Sequence, residues 1–435
     1  MAHRNAPRNT VAGLCRTHTD FPGSSRRYPN TVPTQAHHVT VVGIGADGWD
    51  GLGEPARAAV AAADVVIGAP RQLDLLPPID GQERQGWPSP LRAGLPALLD
   101  GLTGRRVVAL ASGDPLLSGV GGTLIELLGA SRVSVIPAVS SVTLARAALG
   151  WPAESVAVIR AGDVHAVLRE LAPGRRVLVL SADETTPAGL AALLVEHGYG
   201  ASRMTVLGDL GGQAESRLES TAASYPAFQG QVPRLNIVAV ELDGPLPAGW
   251  TAGLPDDAYD HDGQLTKRDL RACALARLAP APGQLLWDVG AGAGSVGIEW
   301  MRAHPSCRAI AVEADQTRAQ RISGNARKLG VPALRVVNGR APAALADLPA
   351  PDAVFIGGGL SRPGLLAACL TALGSGGRLV AHGVTLETET QLAAAYREHG
   401  GELSRIQVEH AEPLGTFTGW KPARAVTQWA LTVSA

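Results

Sequence analysis

The residues best placed to do chemistry form one short run: Trp287, Asp288, Val289, Gly290, Ala291, Gly292, Ala293 and Gly294, with Ser295 next. An apolar strand ends in an acid, a glycine-rich turn follows, and a helix begins. Glycine permits a tight turn and lets backbone approach a ligand with no Cβ in the way. The free N–H groups of a helix N-terminus favour a carboxylate or phosphate. Asp288 is placed to accept hydrogen bonds from the amine of a methionine-like ligand, directly or through water. Glu313 closes the next strand, 23 residues after Gly290, and suits a pair of ribose hydroxyls. Gly292, Gly294 and Gly297 also match the G-x-G-x-x-G fingerprint of nicotinamide dinucleotides. In that motif the strand runs straight into the first glycine, whereas here Gly290 and Ala291 intervene. The balance favours S-adenosylmethionine. A turn with no ligand is disfavoured, because three alternating glycines lose entropy on folding that packing alone rarely demands.

Weaker signals lie on both sides of this run. Gly43-Ile44-Gly45, Ser112-Gly113-Asp114-Pro115 and Pro137-Ala138-Val139-Ser140-Ser141 fall at the ends of apolar runs. Each sets small residues or free backbone groups at the edge of a sheet, although a Gly-Asp-Pro sequence alone is more often only a turn. Asp47 is either an acid–base group or a turn residue. Thr266-Lys267-Arg268 opens a helix, Asn338, Gly339 and Ala341 follow a strand, and His382 ends another. His382 is a candidate for moving a proton, or else a hydrogen-bonded structural histidine. Gly357, Gly358 and Gly359 stand where methyltransferases acting on amino groups usually carry Asn-Pro-Pro-aromatic. That absence disfavours N-methylation and leaves room for a broad, flat substrate.

These residues need elements to hold them. Runs such as Val39 to Val42, Arg106 to Ala111 and Leu235 to Leu242 alternate with helical stretches, which implies α/β packing. Asp243 to Pro255 is rich in Gly and Pro without periodicity and reads as a linker over 244–255. After it, strands Leu285–Val289, Arg308–Glu313, Leu334–Val337, Ala353–Ile356 and Arg378–Ala381 alternate strictly with helices, as in a parallel sheet covered on both faces. Two closing strands, near Leu403–Val408 and Val426–Val433, have no helix between them and are expected as an antiparallel hairpin at one edge. Residues 1–36 hold five arginines against one acid, with no periodicity, and read as a disordered extension. The domains are therefore expected at 37–243 and 256–435.

Composition narrows the function. The 435 residues are 46% hydrophobic and 18% charged, with a net charge of −1. That suits a globular protein and argues against a nucleic-acid or anionic-membrane surface. The most apolar stretch, Ala58 to Ala69, is interrupted by Asp64, so no membrane-spanning helix is expected. Four scattered cysteines and eleven histidines form no metal-ligand spacing. Reduced thiols in the cytoplasm, and no metal, are the expectation.

Two family resemblances join these signals. The Gly43–Gly45, Gly113–Pro115 and Pro137–Ser141 motifs, with Trp87-Pro88-Ser89-Pro90, the run Gly113 to Gly122 and Leu210-Gly211-Gly212, resemble the tetrapyrrole methylase family. One departure is Asp47-Gly48, where many relatives have Pro-Gly. Over nearly all of 256–435, the glycine turn, Thr266–Arg268, the residues Asn338, Gly339 and Ala341, then Val384-Thr385-Leu386-Glu387, Glu412–Gly415, Thr416–Trp420 and Thr427-Gln428-Trp429 resemble the decarboxylating methyltransferase domain of corrinoid biosynthesis. The resemblance implies a tetrapyrrole methylase fold of two α/β subdomains, then a seven-stranded Rossmann-like class I methyltransferase domain. It also implies two S-adenosylmethionine sites, one per domain, and a reduced tetrapyrrole substrate bearing several carboxylates. The first domain would methylate ring carbon 5; the second would methylate carbon 15 and decarboxylate the ring-C acetate.

On that reading the donor sites comprise Gly43, Gly45, Gly113, Asp114, Ser140 and Ser141 in front, and Thr266, Asp288, Gly290 to Gly294, Glu313, Gly339 and Ala341 behind. Lys267, Arg268, Arg362 and Arg424 are candidates for the substrate carboxylates, each with the alternative of a solvated surface charge. Phe417 and Trp420 are candidates for an apolar wall under the macrocycle, or else core residues. Self-association is implied by relatives of each half. A methyltransferase for another small molecule or RNA with a non-catalytic front domain, a nicotinamide oxidoreductase and a tetrapyrrole carrier without turnover remain as alternatives.

Overall fold

Apolar runs bounded by Gly, Pro and Asp become strands, and the helices between them cover the sheet faces. The computed structural model describes residues 38–160, 162–227, 230–246 and 249–434; the extension read at 1–36 lies outside these. The first sheet holds β1 (Val39–Ile44), β2 (Val65–Gly68), β3 (Glu83–Gly86), β4 (Val107–Ser112) and β5 (Val133–Ile136). All are parallel, in the order β3-β2-β4-β1-β5. Alternation along β1 supplies both faces. Val39 and Val41 pack with Leu95, Leu99 and Leu124 of the helices on one side; Val42 and Ile44 pack with Ala56 and Val60 on the other.

The second sheet contains β6 (Val156–Arg160), β7 (Arg176–Leu180), β8 (Arg203–Gly208), β9 (Ser216–Thr221) and β10 (Asn236–Glu241), in the order β6-β7-β10-β8-β9. Only β6 and β7 run parallel. Helix Ser141–Leu149 leaves the first sheet directly after β5, yet its Val142 and Ala145 pack on Leu178, Leu207 and Ile237 of the second. That helix fixes the two sheets around a shared gap.

The third sheet contains β11 (Leu285–Val289), β12 (Arg308–Glu313), β13 (Arg335–Asn338), β14 (Ala353–Ile356), β15 (Arg378–Gly383) and β16 (Glu402–Ile406). Next along the chain come β17 (Glu409–Leu414), β18 (Phe417–Pro422) and β19 (Val426–Thr432). The sheet order is β13-β12-β11-β14-β15-β19-β16. Because β11 has β12 on one side and β14 on the other, its carboxyl end is the switch point where such sheets leave a crevice.

The two closing strands pair antiparallel at one edge of the sheet, as expected, but the later one takes the inner place. β19 lies inside the sheet, antiparallel to both β15 and β16. Val426 to Trp429 are all buried, as an interior strand requires, whereas β16 takes the edge. The intervening chain forms a separate ribbon, β17 against β18, with almost every residue exposed. Polar edge strands β3 and β9 likewise lack the apolar run that marks a buried strand. Among the described residues, no helix is long and apolar enough to cross a membrane.

Trp429 is fully buried against Leu392, Ala395 and Ala381, and its indole donates to the Gly400 carbonyl at 2.9 Å. Trp429→Ala removes that volume and leaves the carbonyl unpaired. It is expected to destabilise the third sheet by about 3–5 kcal/mol, read as a lower urea midpoint; a loss below about 1 kcal/mol would contradict this packing.

Candidate active site

A cleft of about 1260 Å³ opens over the carboxyl ends of β11, β12 and β14. Its floor is the glycine turn. Gly290 has φ +68°, and a Cβ there would lie 2.7 Å from the Gly358 backbone, so only glycine allows this close pass. Gly290, Ala291, Gly292, Glu313, Gly339, Ala341 and Thr266 all line the cleft. Ala293 and Gly294 do not: the Ala293 carbonyl accepts from Asn325, and Gly294 starts helix Ser295–Ala303.

The two acids sit differently. Glu313 is only 6% exposed but reaches the cleft. Its Oε2 accepts the Gly292 N–H at 2.9 Å and its Oε1 the Asp315 N–H at 3.0 Å. Each oxygen keeps a further lone pair for a hydroxyl. Asp288 is 1% exposed and lies beneath the turn, outside the cleft lining. Its Oδ2 accepts the Gly297 N–H at 2.9 Å, and its Oδ1 is buried without a partner. Burial pushes this carboxyl up to about 7; the Gly297 N–H opposes that shift and the negative Glu313 adds to it. An orphaned acceptor beneath the turn fits a ligand amine or a bridging water.

The opposite wall carries His382 of β15. Its ring meets Phe355 edge-on at 5.1 Å, and its Nε2 lies 2.9 Å from Gln428 Oε1 on β19. Burial lowers its pKa, so the imidazole is neutral.

Lys267, Arg268, Arg362 and Arg424 line the same cleft. Lys267 pairs with Asp256 at 3.4 Å; the three arginines have no carboxylate partner among the described residues. Sequence reasoning missed Arg340, which lines the cleft equally unpaired, along with Asp256, Gln264 and His410. None of these belongs to a recognisable motif. Phe417 and Trp420, expected as an apolar wall or as core, are neither: they stand on the ribbon, 78% and 73% exposed, away from the cleft lining. Ile406, Val408 and Val426, at the roots of the ribbon and of β19, supply apolar lining instead.

A second cleft of about 560 Å³ lies between the first two sheets. Gly45, Gly113 and Ser141 line it, as do Trp87 and Leu210 from the supporting motifs. Gly113 has φ +58°, and a Cβ there would lie 3.0 Å from Ser140 Cα. Gly43, Asp114, Ser140 and Asp47 fall outside the lining. Gly43 backs onto Gly113 and Ala138, Asp114 Oδ1 accepts the Leu116 N–H at 2.9 Å, and Ser140 Oγ caps helix Ser141–Leu149 through the Thr143 N–H at 3.1 Å. These three shape the rim from behind. Asp47 is exposed at the start of a short helical turn. Ser181 Oγ and Asn236 Oδ1, both missed, come from cleft-lining residues and are buried without partners, as suits a polar ligand. Among the described residues, no group of three His, Cys, Asp or Glu is arranged to hold a metal ion.

Residues 38–225 match a family model for tetrapyrrole (corrin/porphyrin) methylases, and residues 257–433 one for a precorrin methyltransferase domain. The class is thus an S-adenosylmethionine-dependent methyltransferase built from two unlike modules. A precorrin-6Y C(5,15)-methyltransferase (decarboxylating) of Mycobacterium tuberculosis is 47% identical over 399 residues, covering 91% of this chain and 99% of its own. A probable cobalt-precorrin-6B C(15)-methyltransferase (decarboxylating) of Pyrobaculum calidifontis is 35% identical over 191 residues, covering 41% of this chain and 97% of its own. A cobalt-precorrin-7 C(5)-methyltransferase of Salmonella typhimurium is 31% identical over 174 residues, covering 39% and 84%. The chain belongs to the family of decarboxylating precorrin-6Y C(5,15)-methyltransferases.

The Asp288 shift has a testable sign. Its folded pKa of about 7 exceeds the unfolded value, so the folded state holds this proton more tightly. The resulting stability is present below about pH 4 and is lost as the pH rises through about 7. Asp288→Asn does not titrate, so its stability relative to the parent should rise by on the order of 2 kcal/mol between pH 5 and pH 8. Urea unfolding of both proteins at the two pH values measures this, and an unchanged difference would contradict a neutral buried acid.

Proposed function

We propose that this chain methylates precorrin-6Y at ring carbons 5 and 15 and releases one acetate carboxyl as carbon dioxide, with a donor site in each cleft. The observation that carries the reading is the pairing of two clefts, each floored by small residues at strand ends, with two methyltransferase families matched in one chain. The smaller cleft is assigned to carbon 5, as in the shorter relative named for that position, and the larger to carbon 15 with decarboxylation.

S-adenosylmethionine supplies an electrophilic methyl group on a sulfonium. The meso carbons of a reduced tetrapyrrole are enamine-like nucleophiles, so the residues need supply no strong base. Their work is to align carbon and methyl with water excluded, and such positioning contributes roughly 7–11 kcal/mol. In the larger cleft Gly290 to Gly292 and Glu313 hold the donor against the strand ends. Arg268, Arg340, Arg362 and Arg424 grip substrate carboxylates, their unpaired guanidiniums matching carboxylates bidentately. His382, neutral and part of the cleft lining, takes the proton that the methylated carbon loses.

Decarboxylation breaks the bond between the acetate methylene and its carboxyl. The electron pair stays on the methylene carbon, delocalised into the conjugated ring, and a proton replaces the lost group. The cleft must hold that bond perpendicular to the ring and leave that carboxylate without a guanidinium partner, which would stabilise the ground state.

Mass spectrometry after incubation with S-adenosylmethionine and precorrin-6Y tests this. The expected product carries two added methyl groups and lacks one carbon dioxide. Gly290→Val should leave a singly methylated, still carboxylated product. Gly113→Val should abolish the other methylation, as both place a side chain where backbone already sits. A parent protein that adds one methyl only, or none, would overturn the proposal.

A further inference from the structure

Residues 253–267 cross from the second sheet's side of the chain to helix Arg268–Leu278 and form one wall of the larger cleft through Asp256, Gln264 and Thr266. This strap contains a single 3-10 turn, Asp256–Ala258, and no strand. Its shape must therefore come from side chains elsewhere.

Three buried polar residues supply it. Glu299, on the helix that begins at the glycine turn, accepts the Gly253 N–H at 2.6 Å, the Leu254 N–H at 3.0 Å and the Tyr259 hydroxyl at 2.9 Å. Arg271, with no exposed surface, donates Nε to Glu299 at 2.6 Å and Nη1 to the Thr266 carbonyl at 2.5 Å. Its other contacts are Asp256 at 3.3 Å and the Leu254 carbonyl. Asn325, also fully buried, accepts the Asp260 N–H at 2.9 Å and donates to the Asp260 and Ala293 carbonyls at 3.0 Å each. One side-chain amide thus ties the strap to the glycine turn itself. The two backbones touch: a Cβ on Gly292 would fall 2.7 Å from the Gln264 carbonyl oxygen.

None of the three side chains lines the cleft. A buried ion pair adds little net stability over well-packed apolar residues, so Arg271 and Glu299 are poorly explained by stability alone. Their hydrogen bonds are spent instead on the strap backbone. We propose that Arg271, Glu299 and Asn325 are positioning residues, which set donor affinity in the larger cleft by pinning the 253–267 strap across the glycine turn. This rests on the reading of that cleft as an S-adenosylmethionine site.

The test uses the full-length chain, with carbon dioxide release followed against S-adenosylmethionine concentration. S-adenosylhomocysteine binding is measured in parallel by calorimetry. The double variant Arg271→Met, Glu299→Met leaves no buried charge unpaired. It should raise the KM for the donor about tenfold or more, because small misplacements at a site are costly, while kcat falls less. Glu299→Gln, which still accepts one strap N–H, should restore most of the affinity. A lowered melting temperature with an unchanged KM is what a merely structural role gives, and it overturns the proposal. Should the double variant fail to fold, Glu299→Gln and Asn325→Asp decide through the same KM and binding measurements. A parent protein that releases carbon dioxide while every variant keeps its KM overturns this inference alone. A parent that neither releases carbon dioxide nor binds S-adenosylhomocysteine overturns the reading of the cleft, and this inference with it.

Discussion

Two carboxylates at neighbouring strand ends, one committed to the backbone of the glycine turn and one to the helix it opens, are the constraint on which the larger cleft depends. Glu313 takes the N–H of Gly292, and Asp288 takes the N–H of Gly297 one turn into the following helix. The turn is thus shaped before any ligand arrives, and little conformational entropy remains to be lost on binding. The cost is electrostatic. Two acids in contact with one loop, one of them fully buried, cannot both be comfortably ionised, and Asp288 responds by holding its proton up to about pH 7.

Much of this was legible in the sequence, because the turn is written in consecutive residues. Gly290 to Gly294 announce positive φ angles and close approach, and the strict alternation of strand and helix announces the sheet that carries them. The partners of the acids were not legible. Asp288 reads as a ligand contact from its position, yet its geometry depends on Gly297, nine residues away in sequence and adjacent only once the helix has formed. Arg340, Asp256 and Gln264 belong to no motif and reach the cleft solely through the topology. Phe417 and Trp420 misled for the opposite reason. Large aromatic side chains imply burial, but β17 and β18 pair only with each other and leave both faces to solvent.

The front half carries its cleft on a different scaffold. Its cleft is not a crevice at one switch point but the space between two sheets, held apart by a helix that belongs in sequence to the first and in packing to the second. Small residues again occupy the strand ends, where backbone passes close to backbone. The charge pattern differs: arginines crowd the larger cleft although the chain is nearly neutral overall. Local field, not net charge, governs what such a pocket attracts.

The insertion of β19 between β15 and β16 bears on how the polypeptide acquires its shape during synthesis. Strand β16 emerges with no neighbour to pair with, and β15 presents a bare edge, until some twenty residues later β19 supplies the bridge to both. Throughout that interval a sheet otherwise complete through β15 exposes unpaired backbone N–H and C=O groups along an apolar strand, the state in which nascent chains are most prone to pair wrongly. The front half meets the same delay, since β4 bridges β1 and β2 and β10 bridges β7 and β8, but all its strands precede this region, so vectorial synthesis should yield one finished module while the other closes last.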